Sequence, residues 1–179
     1  QGAKGAVSAD GPESPERVQL NKAMLGFLTH CGYAHGGNGY EGVAFLIEQF
    51  AGSGLRDPGD AAHGIDLAAL AQRYVDRYAA YKSAKKTEGS LDIQKIPGVN
   101  HPVFKDKPVN HDPRERFIAE RLAARGESNV FHAYYRELVQ ALFDAGVSRN
   151  VYCVNIDAVI AALLLKMVWK PAGEGRVDE

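Results

Sequence analysis

Apolar residues recur at intervals of three and four along most of this chain, and no other feature restricts its fold as strongly. Side chains with this spacing lie on one face of an α-helix, so the pattern predicts a series of amphipathic helices. One short β-branched stretch, residues 151–154, is compatible with extended backbone. We therefore predict an all-α fold of about six packed helices with at most a minor strand.

Helix-start and helix-stop residues divide the pattern. Ser14-Pro15 and Asp112-Pro113 each put a capping side chain before a proline that suits the first helical turn. The predicted helices run from Ser14 toward His30, from the glycines after His35 through Phe50, from about Asp66 to Lys86, from Asp112 to Gly126, from Val130 to Gly146, and from Ala158 to Trp169. Residues 1–13 are predicted to be a flexible lead-in, residues 14–170 one helical domain, and residues 171–179 a flexible tail.

Composition excludes several classes of protein. With 179 residues, 45% of them hydrophobic, the chain is long enough for one domain with a real core. A formal net charge of −1 leaves no basic excess for nucleic acid. No apolar run reaches the roughly 18 to 20 residues of a membrane span, and no signal peptide pattern is present. Cys31 and Cys153 have no metal-ligand or redox spacing, so we expect a reduced cytoplasmic protein.

A loop at residues 96–105 separates the third and fourth predicted helices and is too rich in Pro and Gly to join either. It offers the imidazole of His101, several cations and a run of backbone amides. That mixture suits an anionic ligand that carries phosphate better than it suits a packed core. We call residues 96–105 the central loop. Three lysines crowd the last turn of the preceding helix, where they suit the negative pole, and we expect two of them to be solvated: Lys82, Lys85 and Lys86.

His35 lies among four glycines just before a predicted helix. The glycines indicate a tight path along which backbone comes close to another group. The positive end of the helix dipole disfavours a second positive charge, so a neutral imidazole able to donate a hydrogen bond is expected. The alternative is that the glycines only make a turn and His35 is a surface residue.

Asp112-Pro113-Arg114-Glu115 closes the loop region and starts the next helix. Asp112 is predicted to cap that helix, with Glu115 where a capping box requires it. Arg114 is thereby held in the first turn, where it could clamp a carboxylate with two hydrogen bonds. The alternative is an exposed arginine paired with a helical neighbour.

Asp157 stands at the head of an almost wholly apolar helix. It is either a helix cap or a buried acid. As a base in an apolar pocket it would have its pKa raised toward the range useful for taking a proton at neutral pH.

Other catalytic motifs are disfavoured. His30, Cys31 and His35 have irregular spacing for zinc, and no second cluster completes four ligands. No Gly-x-Ser-x-Gly elbow is present for a serine hydrolase. The glycines of residues 36–39 match neither a Walker loop nor a dinucleotide fingerprint.

Three segments in order resemble the citrate synthase superfamily, which includes the citryl-CoA lyase part of ATP-citrate lyase. Ala34-His35-Gly36-Gly37-Asn38-Gly39-Tyr40-Glu41 is similar to the family's histidine-glycine stretch before a helix. Pro97-Gly98-Val99-Asn100-His101-Pro102-Val103 resembles its Pro-Gly-x-Gly-His loop, and Asp112-Pro113-Arg114 the Asp-Pro-Arg that follows. Val154-Asn155-Ile156-Asp157 resembles the Asn-Val-Asp of its third catalytic segment. The likeness extends over about residues 24–167, chiefly the family's small, helical CoA-binding domain.

This resemblance implies a condensation of acetyl-CoA with oxaloacetate through an enol or enolate, or the reverse cleavage of citryl-CoA. Asp157 would take a proton from the acetyl methyl group, and neutral His35 would hydrogen-bond the thioester oxygen. His101 would polarise the oxaloacetate carbonyl, and Arg114 would hold a carboxylate. Coenzyme A is implied as part of the substrate, with no metal. Its adenine and phosphates would lie on Pro97, Gly98, Val99, Asn100, Lys105 and Lys107.

The sequence departs from the family pattern in three ways. Asn100 replaces the usual glycine, and the segment from His101 to Arg114 is a few residues longer. The family's other substrate-binding histidine and two arginines find no match. Together with a first residue other than Met, this leads us to expect a piece of a longer enzyme or a stand-alone relative, with a larger domain or self-association as partner. We expect little or no turnover by this chain alone. The alternative is a non-catalytic module that binds CoA or an acyl-CoA.

Overall fold

The computed structural model describes residues 20–29 and 37–176. The chain divides into two compact units, Gln1–Asn38 and Gly39–Glu179. Six helices lie within these described ranges: α1 (Leu20–Leu28), α2 (Gly37–Phe50), α3 (Leu67–Thr87), α4 (Pro113–Ala124), α5 (Val130–Asp144) and α6 (Ile156–Gly173). The prediction of a mostly helical protein with very little strand is confirmed. None of these helices is long and apolar enough to cross a membrane.

β-Pairing is limited, in the part of the chain that the structure describes, to two isolated β-bridges. Val99 pairs antiparallel with Val154, and Val109 pairs parallel with Val151. Residues 151–154, predicted to be compatible with extended backbone, supply one side of both bridges. The segment before α6 is thus tied to the central loop at one point and to residue 109 at another.

Side chains fix most of the helix starts. The Asp66 carboxylate accepts a hydrogen bond from the Ala69 amide at the start of α3. Asp112 accepts one from the Arg114 amide, and Pro113 takes the first position of α4. The Asp112 cap was predicted, because cap and proline signals act over only a few residues; for Asp66 only an approximate helix start was predicted. The predicted start of the first helix at Ser14 lies outside the described residues.

Helix α6 is longer than its apolar pattern predicts. It begins at Ile156 and continues to Gly173, so the predicted tail begins later than residue 171. The last part of α6 is anchored by Trp169, whose indole Nε1 donates a hydrogen bond to the Leu55 carbonyl oxygen at 2.9 Å. The Schellman-like bonds that close the helix follow only at residues 174–176.

Helix α5 forms the centre of the second unit. Its buried face carries aromatic side chains that meet rings from α2, as in the edge-to-face pair of Phe50 and Phe131, whose centroids are 5.0 Å apart. Phe45 of α2 makes a similar contact with Tyr74 of α3, at 5.1 Å. Burial of each such ring contributes about 1.5 to 3 kcal/mol, so this aromatic cluster is a main source of stability.

Small residues bring two other segments against the first turns of α6. A Cβ atom at Gly98 of the central loop would lie 2.5 Å from the Ala158 Cβ, and one at Gly42 of α2 would lie 2.9 Å from the Ala161 Cβ. Both distances are shorter than real Cβ contacts allow, so only glycine fits at either position without movement. The fold therefore places the central loop, α2 and the start of α6 in direct contact.

The close approach at Gly98 gives a stability prediction. Gly98→Ala introduces both a left-handed alanine, at φ +77°, and an overlap with Ala158. We expect it to lower the free energy of unfolding by roughly 2 to 4 kcal/mol, measured by urea denaturation. Gly89→Ala is the matched control, because Gly89 has φ +70° but open space around its Cβ position. The control should cost only about 1 to 2 kcal/mol, and equal losses at both positions would contradict the close packing.

Candidate functional site

The central loop is clamped to the segment that leads into α6. The Asn100 amide donates to the Cys153 carbonyl oxygen at 2.8 Å, and the Asn155 amide donates to the Gly98 carbonyl oxygen at 2.9 Å. The Asn155 side-chain nitrogen donates to the Asn100 carbonyl oxygen at 3.0 Å. These three bonds join sequence segments more than fifty residues apart, and the candidate site is built around them.

A buried carboxylate ties the start of α4 to the start of α6. Asp112 is fully buried, and its Oδ1 accepts hydrogen bonds from the amide and Nε of Arg114, at 3.0 and 2.9 Å. Its Oδ2 accepts from Arg114 Nη2 at 2.7 Å and from the Ile156 amide at 3.1 Å. One side chain thus caps α4, fixes Arg114 and binds the first amide of α6.

The Asp112–Arg114 pair is held in its charged form. Burial alone would raise the pKa of Asp112, but the hydrogen bonds and charge of Arg114 and the Ile156 amide hold that pKa below its usual range. The side-chain hydrogen bonds that Arg114 donates to Asp112 raise the pKa of Arg114 against the effect of burial, and the Asp157 carboxylate adds to this rise. Asp157 therefore lies within electrostatic range of the pair.

Arg114 is half exposed, with 47% of its side chain accessible. Arg114 was predicted to give two hydrogen bonds to a substrate carboxylate. In the structure its side chain gives two hydrogen bonds to Asp112 instead. A bound carboxylate would therefore meet only the outer edge of the guanidinium. The alternative of pairing with a helical neighbour comes close to what is observed, since the partner is the cap of the same helix.

His101 is fixed by a local turn. Its Nδ1 accepts a hydrogen bond from the Val103 amide at 3.2 Å, and its ring stacks on Phe104 with centroids 4.8 Å apart and planes at 28°. An Nδ1 that accepts places the proton of the neutral imidazole on Nε2. His101 therefore offers one N–H donor, on the ring nitrogen away from the turn.

Asn100 adopts the left-handed conformation, with φ 69°. Glycine is the residue that takes this conformation without strain, and Asn tolerates it better than most others do. The Asn100 Oδ1 accepts a hydrogen bond from the His101 amide at 2.9 Å, so the side chain turns back on its own loop. Asn at this position is thus compatible with a left-handed backbone.

Most backbone groups predicted to cradle adenine already have partners. The Val99 amide donates to the Ile96 carbonyl oxygen at 3.3 Å, and the Asn100 and His101 amides donate as described above. The carbonyl oxygens of Gly98 and Asn100 each accept a bond from Asn155. A ligand at this loop would therefore depend mainly on side chains beside it.

A cavity of about 530 Å³ opens next to the central loop and is rich in cations. Lys82, Lys95 and Lys105 line it, together with His101 and two tyrosines, and its lining includes no carboxylate. Lys82 is half-buried, and its Nζ donates to the Val147 carbonyl oxygen at 3.1 Å. Sequence reasoning named Lys105 for phosphate but missed Lys82 and Lys95, although the crowd of lysines at the end of α3 was the signal.

Lys107 lies apart from this cavity. Its side chain is exposed, and its amide donates to the Asn110 Oδ1 at 3.1 Å in a turn that leads back toward α4. Of the two lysines predicted to lie near phosphates, only Lys105 therefore lines the cavity.

Asp157 is the second residue of α6, and its side chain is half-buried. The cap of this helix is Asn155, whose Oδ1 accepts from the amides of Asp157 and Ala158 at 2.9 and 3.2 Å. The capping role that was the alternative for Asp157 is thus filled by another residue. A Cβ atom on Gly42 would lie 3.9 Å from the Asp157 carbonyl oxygen, so α2 reaches the same turn. His35, which precedes α2, lies outside the described residues.

Glu115 was predicted to complete a capping box at the start of α4, but its carboxylate bonds elsewhere. Its Oε1 lies 2.7 Å from His132 Nε2 and 2.9 Å from Arg136 Nη2, both on α5. Burial would raise the pKa of Glu115, but the hydrogen bonds from His132 and Arg136 lower it. Glu115 bonds to these two distant residues because a buried carboxylate must be paired. No residue near Glu115 in the sequence indicates these partners.

The described residues contain no candidate metal site. Across residues 20–29 and 37–176, no group of three or more His, Cys, Asp or Glu side chains could hold a metal ion. The sequence candidates His30, Cys31 and His35 lie outside those ranges.

Comparisons with protein-family models, curated proteins and solved structures found no match to the chain.

The buried carboxylate of Asp112 gives a second prediction. Asp112→Asn keeps a capping group but removes the charge that pairs with Arg114, so we expect a loss of about 3 kcal/mol in the free energy of unfolding at about pH 7. Asp66→Asn is the control, because Asn caps as well as Asp and Asp66 is exposed.

The pH dependence has a definite sign. A carboxyl group with a lowered folded pKa stabilises above its unfolded pKa of about 4, and this contribution disappears as the pH falls through the folded value. In urea denaturation between about pH 7 and about pH 2, the gap between wild type and Asp112→Asn should therefore close only at the acid end. A gap that stays constant down to acid pH would contradict the ionised pair.

Proposed function

We propose that this chain is a helical CoA-thioester module of the citrate synthase type, acting in enolate chemistry at the acetyl group. The observation that carries the proposal is the meeting of two segments that resemble the family. The loop of His101 and the start of α4 at Arg114 are both hydrogen-bonded to the segment that presents Asp157. The helix that follows His35 packs on the same turn.

The proposed reaction assigns one task to each polar group. Asp157 removes a proton from the methyl carbon of acetyl-CoA, and neutral His35 donates a hydrogen bond to the thioester oxygen as negative charge develops there. His101 Nε2–H polarises the carbonyl of oxaloacetate. The enol carbon then attacks that carbonyl carbon to give citryl-CoA, and the same groups serve the reverse cleavage.

The cation-lined cavity supports the CoA part of this proposal. Lys82, Lys95 and Lys105 supply positive charge beside the central loop without an opposing carboxylate in the lining. Phosphate groups bind where several cationic donors converge. We propose that CoA phosphates lie here, with Lys105 better placed than Lys107.

The oxoacid end is less complete. Oxaloacetate carries two carboxylates, whereas two nitrogens of the Arg114 guanidinium already donate hydrogen bonds to Asp112. Uncompensated charge in a partly closed site is costly. We therefore expect the 179-residue chain alone to bind CoA but to give little or no condensation, with further cationic groups supplied by a larger domain or a second copy.

The same observation favours a second candidate, a non-catalytic module that holds CoA or an acyl-CoA for a partner. In that case Arg114 serves only to neutralise Asp112. The two candidates differ in whether Asp157 acts as a base.

The first test is a calorimetric titration with CoA. Lys105→Ala should weaken binding about tenfold, which corresponds to about 1.4 kcal/mol for one lost charge-assisted contact. Lys107→Ala is the control and should change affinity less than about twofold, because Lys107 lies outside the cavity. Absence of wild-type binding at millimolar CoA would overturn the proposed function, and an equal effect of both variants would move the phosphates away from the cavity.

The second test follows exchange of acetyl-CoA methyl protons with deuterium from the solvent, by mass spectrometry. Asp157→Asn should slow exchange by at least about 100-fold, because a general base contributes that much or more, while CoA affinity stays unchanged. Asp144→Asn is the control, since Asp144 is exposed at the end of α5 and bonded only to Gln140 in the described contacts. Wild-type binding without exchange would favour the non-catalytic module.

A further inference from the structure

Phe104 contacts both polar groups proposed for the oxoacid end of the site. Its ring stacks with the His101 imidazole, with centroids 4.8 Å apart. The Arg114 Cζ lies 5.6 Å from the centroid of the same ring. One side chain is thus shared by the imidazole and the guanidinium, which come from different segments of the chain.

Core packing does not account for the position of Phe104. The ring is half-buried, and it belongs neither to the buried hydrophobic cluster nor to the partly buried residues packed against that cluster. Its ring contacts are instead with a histidine and an arginine. An aromatic face attracts a guanidinium and stacks with an imidazole, whereas an aliphatic side chain of similar size does neither.

The two side chains are also held by other contacts. The hydrogen bond from the Val103 amide to Nδ1 holds the His101 ring in its turn, and Asp112 holds Arg114 along one edge of its guanidinium. Backbone hydrogen bonds to the start of α6 place the two segments. Phe104 is the side chain that contacts both the imidazole and the guanidinium.

We propose that Phe104 is a positioning residue that sets the separation and angle between the Nε2–H of His101 and the free edge of Arg114. Resting on the proposed function, this arrangement matches a 2-oxoacid, with the carbonyl oxygen at the imidazole and a carboxylate at the guanidinium. Phe104 acts through these two side chains and need not touch the substrate.

Three variants separate positioning from simple space filling. Phe104→Leu keeps an apolar side chain but removes the aromatic face, and Phe104→Tyr keeps the face. Phe117→Leu is the matched control, because the exposed Phe117 of α4 carries Arg121 at 5.2 Å over its ring in the same kind of pair, away from the central loop.

The experiment is nitrogen NMR of the imidazole and guanidinium groups in the full chain. At a pH that keeps the imidazole neutral, wild type should show His101 as one tautomer with its proton on Nε2, because Nδ1 accepts from Val103. In Phe104→Leu the freed ring should leave the turn and populate both tautomers, while Phe104→Tyr and Phe117→Leu should resemble wild type. A single tautomer retained in Phe104→Leu would overturn the proposal.

A titration with oxaloacetate tests the link to substrate. In wild type the His101 Nε2 and Arg114 Nε resonances should shift together with one apparent affinity, and in Phe104→Leu that coupled response should be lost. If wild type shows no response of either resonance at millimolar oxaloacetate, the oxoacid role of Phe104 is wrong. Failure of CoA binding, measured separately by calorimetry, would instead remove the proposed function and leave the tautomer result to decide the positioning role.

Discussion

The candidate site depends on the buried carboxylate of Asp112. Its two oxygens accept four hydrogen bonds, three from Arg114 and one from the Ile156 amide. A fully buried charge is tolerated only when it is paired and hydrogen-bonded, and here the pairing group is itself half exposed. The cost of burying the charge is therefore offset by a network that also fixes the angle between α4 and the first turn of α6. The Phe104 ring, 5.6 Å from the Arg114 Cζ, adds a contact outside this network.

Close backbone approach is the second constraint. Gly98 and Gly42 let the central loop and α2 reach the small residues Ala158 and Ala161 on α6. A larger side chain at any of these positions would push the loop or the helix outward. Backbone consequently comes close to the first turns of α6, and Asn155 donates to the carbonyl oxygens of both Gly98 and Asn100. Packing of small residues and hydrogen bonding of Asn155 thus act at the same place.

The distribution of charge divides the region into two ends. The cavity beside the central loop collects cations from α3 and from the loop itself, which suits a phosphate-bearing ligand. On the other side, the positive charge of Arg114 is largely cancelled by Asp112, and the Phe104 ring lies against the guanidinium. The proposed ligands, a CoA thioester with phosphates at one end and an oxoacid at the other, would fit this division.

The sequence by itself determined the helices and their local ends. Periodic apolar residues specify helical faces, and a cap such as Asp112 acts within a few residues, so both could be predicted from the sequence. The Pro and Gly content of the central loop also separates it from the helices on either side.

Only the tertiary structure decided which polar groups are partners. Asn155, not Asp157, caps α6, and the choice depends on bonds that Asn155 makes to the central loop. Glu115 bonds to His132, which is seventeen residues away along the chain. Lys82 bonds to the Val147 carbonyl oxygen, sixty-five residues away. Local sequence cannot specify such pairs, because a buried polar group bonds to whichever partner the packing of distant helices brings within reach.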